Sequence, residues 1–357
     1  MPTRQDNLNI QIGDKRISYH DEVFVIAEAG VNHNGRLNLA LKLVDAAAQA
    51  GAHAVKFQTF KAHQVVVKKT PMAEYQKKNI ARKQSQLAML KKVELQEAFY
   101  DKIIKHCKRR KIIFLSTPHG GFESIDFLHS LDVPAYKFGS GDLNNTPVLQ
   151  YAARFGKPMI LGTGMSTLQE VKNAIAVIRK TGNNKIIVLH ATTNYPCPPQ
   201  EVNLQSMVTM MHAVRCLVGY SDHTLGIETS SAAVALKACM IEKHFTLNKK
   251  LPGPDHKCSA EPKELQTLID RIRYIHTILG SPVKQPNPSE LRMLKTVRKS
   301  IVTLSEIKKD EFFTPKNLGI KRPGTGLDPK YYYRIIGKKA LQNIRPDVLL
   351  TKKHYAE

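Results

Sequence analysis

Gly219-Tyr220-Ser221-Asp222-His223 and, further on, Ile241-Glu242-Lys243-His244 each read as the end of a short β-strand. Between them Ile227 to Lys237 has the pattern of a helix, so the stretch is a strand-helix-strand unit. In one parallel sheet or barrel the two strand ends lie side by side, which brings His223 and His244 close enough to hold a divalent ion. Two histidines leave coordination positions open, as a Lewis-acid centre needs and a closed structural site does not. Each histidine alone reads more simply as a satisfied loop side chain. Glu242, on the same strand face as His244, shifts the reading toward a site.

Outward from this unit, the chain from residue 23 alternates short apolar runs with amphipathic segments. The expected strands are Val23 to Ala27, Ala54 to Phe57, Ile112 to Leu115, Ala135 to Phe138, Met159 to Leu161, Ile186 to Leu189, Leu217 to Tyr220 and Cys239 to Glu242. The expected helices are Leu37 to Ala50, Val93 to Arg109, Phe122 to Ser130, Pro147 to Arg154, Leu168 to Lys180, Leu204 to His212, Ile227 to Lys237 and Pro262 to Leu279. Eight such units match a (β/α)8 barrel of about 250 residues, with its active site at the strand C-terminal ends. An open doubly wound sheet would show a Gly-x-Gly-x-x-Gly turn after its first strand. Gly30-Val31-Asn32-His33-Asn34-Gly35 is not that turn.

The barrel domain is expected over residues 1–280, a Pro-rich linker over 281–295 and a small β-rich domain over 296–357. A long polar excursion between Phe60 and Lys92 reads equally as a lid over the barrel mouth or as surface decoration. With 42% hydrophobic and 24% charged residues, the 357-residue chain has the composition of a soluble protein. The stretch Met1 to Asp21 lacks the apolar run of about 7 to 15 residues that marks a secretory signal. A cytoplasmic enzyme without membrane contact is expected. The five cysteines include no Cys-x-x-Cys pair, which argues against a disulfide framework or zinc ribbon. The net charge of +24 favours anionic partners. Its basic residues are dispersed, however, and no basic tract alternates with aromatics, so nucleic acid is not the expected partner.

Polar residues collect where each expected strand ends: Glu28; Lys56 and Gln58; Ser116 and Thr117; Lys137, Ser140 and Asp142; Thr163; His190, Thr192, Thr193 and Tyr195; then the two histidines. One lysine at a strand end is as often a snorkelling surface group, but solubility does not explain the joint pattern. Two lysines with several hydroxyls suit a small phosphorylated, carboxylated anion, leaving the metal and Glu28 to face a second, neutral polar substrate. A Schiff-base aldolase is the obvious rival. Its lysine commonly stands on the sixth strand, where this chain reads Val188-Leu189-His190.

From Val23 to Ile344 these residues closely resemble the sialic acid synthase family, including legionaminic and pseudaminic acid synthases. The resemblance is carried by Ile26-Ala27-Glu28-Ala29-Gly30, Asn32-His33-Asn34-Gly35, Val55-Lys56-Phe57-Gln58, Ser116-Thr117-Pro118, Gly139-Ser140-Gly141, Tyr220-Ser221-Asp222-His223, Glu242-Lys243-His244-Phe245-Thr246-Leu247, Gly253-Pro254-Asp255-His256 and Lys321-Arg322-Pro323-Gly324. It implies condensation of phosphoenolpyruvate with N-acetylmannosamine or a related amino sugar. His223 and His244 would hold Mn2+ or Mg2+, and Lys56, Thr117, Lys137, Ser140 and Tyr195 would hold phosphoenolpyruvate. Glu28, Gln58, Asp142, Asp255 and Arg322 would line the sugar and water side, with Thr193 and Glu242 as further contacts and Glu28 as the first candidate for proton transfer. The C-terminal module resembles the antifreeze-like (SAF) domain of these synthases, which implies a domain-swapped homodimer in which Arg322 reaches the partner's site.

The sequence also departs from the family pattern. Asp142 stands where many bacterial members have Glu, Gly162 where a phosphate-binding Ser is common, and Thr193 where some have Asn. These differences leave the acceptor open among N-acetylmannosamine, its 6-phosphate and a 2,4-diacetamido trideoxy hexose. One rival reading keeps the reaction and takes a phosphorylated aldose. Another makes the barrel a non-catalytic binder of polyanions or nucleic acid.

Overall fold

The computed structural model describes residues 8–80 and 84–356, the side chain of Lys78 apart. The chain divides into two compact units, Met1–Gly280 and Ser281–Glu357.

The first unit opens with an antiparallel hairpin, β1 (Ile10–Ile12) and β2 (Lys15–Ile17). Eight parallel strands follow: β3 (Phe24–Gly30), β4 (Ala54–Thr59), β5 (Ile113–Pro118), β6 (Tyr136–Phe138), β7 (Met159–Gly162), β8 (Ile186–Ala191), β9 (Leu217–Asp222) and β10 (Met240–His244). Their order in the sheet is β5-β4-β3-β10-β9-β8-β7-β6, and its two end strands, β5 and β6, lie next to each other. The sheet therefore curls into the expected barrel. Helices α1 (Leu37–Gln49), α5 (Glu97–Arg110), α6 (Phe122–Ser130), α7 (Thr146–Ala153), α8 (Leu168–Arg179), α9 (Leu204–Ala213), α10 (Glu228–Ala235) and α11 (Pro262–Leu279) follow the strands in turn. Three further helices, α2 (Ala62–Val65), α3 (Glu74–Asn79) and α4 (Gln86–Val93), occupy the excursion between β4 and α5. The helix expected from Val93 thus begins later. Leu95 is buried and Gln96 is an extended cap, so α4 and α5 are separate helices.

The helices show their causes locally. In α8 the Thr167 hydroxyl accepts from the Glu170 amide while the Glu170 carboxylate accepts from Thr167 N at 2.7 Å, a reciprocal cap. Val171, Ala174, Ile175 and Ile178 then form the buried stripe of that helix. Strand alternation sorts the core into two layers. Phe24, Ile26, Ala54, Leu115, Ala135, Ile160, Ile187, Leu189, Leu217 and Met240 fill the barrel interior, with Ile10, Ile12 and Ile17 of the hairpin in the same cluster. Val25, Ala27, Val55, Phe114, Leu161, Val188, Val218 and Ile241 face outward against the helices.

Further along six of these strands the inward phase reaches Glu28, Lys56, Thr117, Lys137, Ser221 and Glu242. A polar layer thus sits on an apolar plug.

The second unit pairs β11 (Ser300–Thr303) with β12 (Leu318–Lys321) in antiparallel register. It packs Ile301, Ile307, Phe313, Leu318, Ile335, Ile344 and Leu350 into its own core, with the short helix α13 (Tyr332–Ile335). The stretch expected as linker holds helix α12 (Pro288–Val297), none of whose residues is buried. Asn287 and Glu290 cap it, with Glu290 accepting from Asn287 N at 2.8 Å. Among the described residues, no helix is long and apolar enough to cross a membrane, and all five cysteines are free and buried.

Candidate active site

The polar layer opens into a cavity of about 360 Å³ at the strand C-terminal ends. Glu28, Lys56, Gln58, Thr117, Lys137, Ser140, Thr193, Tyr195, His223, Glu242, His244 and Asp255 all line it, twelve of the fourteen residues singled out in the sequence.

Its floor is a chain of alternating charges. Lys56 Nζ lies 2.7 Å from Glu28 Oε2 and 3.8 Å from Glu242 Oε1, and donates to Thr117 Oγ1 at 3.0 Å. Lys137 Nζ lies 3.3 Å from Glu242 Oε1 and donates to the Phe138 carbonyl. The Gln58 amide donates to Glu28 Oε1 at 3.2 Å. All four charged groups are almost fully buried. Burial pushes the carboxyl of Glu242 up, but the Lys137 and Lys56 ammoniums outweigh it and hold it well below the usual range. Glu28 goes the other way, because burial raises its carboxyl more than Lys56 lowers it, with Glu242 adding to the rise. The same floor thus shifts its two carboxyls in opposite directions, Glu242 down and Glu28 up. Burial also lowers the Lys137 ammonium, against the pull of Glu242.

Above Glu242, the rings of His223 and His244 stand 5.6 Å apart between centroids. His223 Nδ1 lies 2.7 Å from the Thr192 carbonyl. A carbonyl only accepts, so the proton sits on Nδ1 and Nε2 keeps its lone pair. Burial brings the His223 imidazole down to about 4 and puts His244, also opposed by His223, well below its ordinary value. Both rings are neutral. His244 Nδ1 and Glu242 Oε2 are buried without a hydrogen-bond partner among the described residues. The imidazole nitrogens of His223 and His244 are the candidate donors to a divalent cation, two ligands that leave the remaining positions open. Among the described residues, no group of three or more His, Cys, Asp or Glu side chains stands at metal-holding geometry.

A separate corner is built from small groups. Ser140 Oγ accepts from Gly164 N at 2.9 Å, and the buried Thr193 Oγ1 has no hydrogen-bond partner among the described residues. A Cβ on Gly164 would collide with Thr193 Oγ1, and one on Gly162 would stand 3.1 Å from Ser140 N. Both glycines keep this polar corner open. Asp255 lies across the cavity, where burial and the nearby Glu28 charge push its carboxyl up to about 7. Its loop is tied down by Asn34, which accepts from His256 at 3.3 Å, and by Asn79, which donates to the Pro254 carbonyl. The Tyr195 ring packs on His223, centroids 4.1 Å apart, and Tyr75 packs on Tyr195 at 5.0 Å.

Two of the fourteen lie elsewhere. Asp142 Oδ2 is 3.5 Å from His119 Nδ1 and outside the cavity lining. Arg322 is exposed in the second unit, just after β12. Other strand-end polar groups are spent on backbone: Thr163 on Leu189 O, His190 on Val202 O and Thr192 on Glu201 O.

Sequence reasoning missed Ser221, whose hydroxyl donates to Glu242 Oε1 at 3.2 Å. It stands two residues before His223 and so shares its face, a signal the strand period already carried. It also left open the role of the excursion between β4 and α5, which roofs the cavity with Val65, Tyr75, Gln76, Met89, Leu90 and Val93. Val31, Phe60 and Val93, with Leu90, form the apolar seam that fastens this roof to the barrel.

The profile of the NeuB family matches residues 43–284, and that of the SAF domain residues 298–356. The chain is 46% identical, over 92% of its length and 99% of the relative's, to an N,N'-diacetyllegionaminic acid synthase of Campylobacter jejuni. It is 33% identical to the human N-acetylneuraminate-9-phosphate synthase, over 91% of this chain and 90% of that one. Among solved structures, an N-acetylneuraminic acid (sialic acid) synthetase from Leptospira borgpetersenii, in complex with citrate, superposes with a TM-score of 0.73 at 32% identity. That match covers 82% of this chain and 97% of the other. With two thirds of its length matched by the family profile, and close to its whole length by relatives of this kind, the chain belongs to the NeuB family and carries an SAF domain at its C-terminal end.

Proposed function

We propose that this protein condenses phosphoenolpyruvate with the open-chain form of a 2,4-diacetamido trideoxy hexose and water, giving a nonulosonic acid and inorganic phosphate. The observation that carries the reading is the convergence of two buried lysines, two neutral histidines and the Glu28–Glu242 pair on one cavity. The acceptor assignment draws on the higher identity to the legionaminic acid synthase than to the N-acetylneuraminate-9-phosphate synthase. It is also supported by the apolar side chains Val65, Met89, Leu90 and Val93 in the roof, which suit a deoxy sugar bearing acyl groups.

Lys56 and Lys137 neutralise the phosphate and carboxylate of phosphoenolpyruvate, and Thr117, Ser140, Thr193 and Tyr195 supply directed contacts. Gln58 and Asp255 orient the sugar, and Arg322 is assigned to acceptor binding. His223 and His244 would hold a divalent cation, Mn2+ or Mg2+, which would supply Lewis-acid polarisation of the aldehyde. The electron pair of the enol double bond forms a bond from C3 to the aldehyde carbon, whose oxygen takes up a proton. Water adds at C2 and loses a proton, with Glu28 as the group that moves it. The C2–O bond to phosphate then breaks with its electron pair leaving on phosphate, while the C2 hydroxyl gives its proton to the departing phosphate and C2 becomes a ketone. The chain's own contribution is positioning and charge stabilisation in a water-poor site. A cytoplasmic homodimer is part of the same proposal.

The test is phosphate release from phosphoenolpyruvate with Mn2+, offered N-acetylmannosamine, its 6-phosphate or a 2,4-diacetamido trideoxy hexose, each with and without chelator. Release with the diacetamido sugar alone, abolished by chelation and by His223→Ala, is the expected result. Release with only the 6-phosphate would reassign the acceptor, and release unaffected by chelation would remove the metal.

A further inference from the structure

On the outer face of the same two strands lies a second pair of charges that the reaction does not use. Asp222 and Lys243 are partners in the β9–β10 register, and both are buried, 1% and 2% exposed. By strand alternation they point away from the cavity, while Ser221, Glu242 and His244 point into it. Lys243 Nζ lies 2.9 Å from Asp222 Oδ2 and donates to the Thr224 carbonyl at 2.6 Å. Asp222 also accepts from Thr224 N at 2.9 Å, Thr224 Oγ1 at 2.7 Å and Ser230 Oγ at 2.6 Å. One carboxylate thus holds the end of β9, the turn after it, the first part of α10 and the side chain of β10.

Stability alone does not account for this pair. The same outward layer is filled elsewhere by Val25, Val55, Val188, Val218 and Ile241, and a buried ion pair is usually no more stable than apolar side chains of equal size. A saturated charge pair does supply register. A slip of one residue between β9 and β10 would part Asp222 from Lys243 on the outside and Ser221 from Glu242 on the inside. His223 and His244 each follow one residue after a member of the outer pair, so their mutual placement depends on that register.

We propose that Asp222 and Lys243 are positioning residues, an outward lock that sets His223 and His244 facing each other so that both engage one divalent cation. The proposal rests on the reading of the two histidines as metal-holding. It goes beyond that reading in making the cation's affinity depend on charges on the far side of the strands. Groups bonded directly to a metal ligand typically set affinity by about 10- to 100-fold, whereas Asp222 and Lys243 bond to each other, Thr224 and Ser230 and act on the rings only through strand register.

The experiment measures binding of Mn2+ alone to the full chain by electron paramagnetic resonance, without substrates, in wild type, His223→Ala, Lys243→Met and Asp222→Asn/Lys243→Met. Circular dichroism melts confirm that each variant is folded at the temperature used. Lys243→Met leaves a buried carboxylate without its counter-charge and is expected to melt lower. The double variant removes both charges and is expected to recover much of that loss, keeping the test valid if the single variant unfolds. The expected result is wild-type Mn2+ binding that His223→Ala abolishes, and affinity at least ten-fold weaker in the folded double variant. A folded double variant that binds Mn2+ within three-fold of wild type would overturn the positioning role while leaving the metal reading intact. Wild type that binds no Mn2+ would remove the metal reading, and the proposal with it.

Discussion

Asp255→Asn is expected to make the protein more stable above neutral pH while making it a poorer enzyme. Burial, with the charge of Glu28, raises the Asp255 carboxyl from its ordinary 3.8 to about 7 in the folded chain. A group raised on folding stabilises fully below its unfolded value, and that contribution is lost as pH climbs through the folded one. Between pH 4 and 7 the unfolded chain ionises Asp255 freely while the folded chain resists. The separation is about three pH units, at about 1.4 kcal/mol each, so wild type loses about 4 kcal/mol across that window relative to a side chain that cannot ionise. Asparagine has nearly the same shape and no charge. The assay is a pair of melts, wild type against Asp255→Asn, run from pH 4 to pH 8.5 with chelator so that no bound cation compensates the carboxylate. The two melting curves should converge near pH 4 and separate steadily to about pH 7, the variant higher, with no further separation beyond. Tyr75 and Cys258, whose own ionisation is pushed up by the Asp255 charge among other causes, stay neutral over this range and do not contribute. A difference that is constant with pH, or a wild type that outlasts the variant at pH 8, would refute the argument that Asp255 is held protonated by its surroundings.

Glu28→Gln keeps the shape of the floor but removes the proton-exchanging group, and kcat is expected to fall by about 100- to 10,000-fold with little change in KM for phosphoenolpyruvate. Turnover within three-fold of wild type would take the proton-transfer role from Glu28. Lys56→Met leaves Glu28 and Glu242 facing each other with Lys137 as their remaining close cation, at a cost of about 3–5 kcal/mol. Adding Glu28→Gln should restore stability in melts without restoring turnover. Gly219→Ala places a Cβ against Met240 O and 2.8 Å from Leu189 Cδ2, so β9 must move off β10. A loss of about 1–3 kcal/mol or more is expected, and an unchanged melting temperature would contradict the close approach.

The barrel was legible because its strands obey the same alternation from floor to mouth. Phe24 and Ile26 lead to Glu28, Ala54 to Lys56 and Gln58, and Met240 to Glu242 and His244, so polarity switches within one inward-facing file. Such a switch is visible in any sequence where the strand phase is known. Asp142 could not be placed this way, because it lies beyond the end of β6 in a helical turn whose direction the alternation does not govern. The hairpin under the barrel escaped notice because its strands have three residues each, and only Ile10, Ile12 and Ile17 mark them. Helix α12 was hidden by the prolines around it, although Asn287-Pro288 followed by Glu290 is a helix start. The outer role of Asp222 and Lys243 was invisible for another reason. Both stand in motifs that read as site residues, and only alternation inside a known strand turns them away from the site.

The roof and the floor of the cavity come from different parts of the gene. The floor gathers single residues from strands spread along the barrel, so altering it means many separate changes. The roof is one uninterrupted block between β4 and α5. Recombination at residues 61 and 96 would therefore exchange the roof as one block, while Gln58 and Asp255, assigned to the sugar, would stay with the barrel. Two crossovers would replace the roof and leave the floor intact. What every incoming block must preserve is the fit to Val31 and Phe60, since that small apolar seam is the socket into which such a cassette plugs.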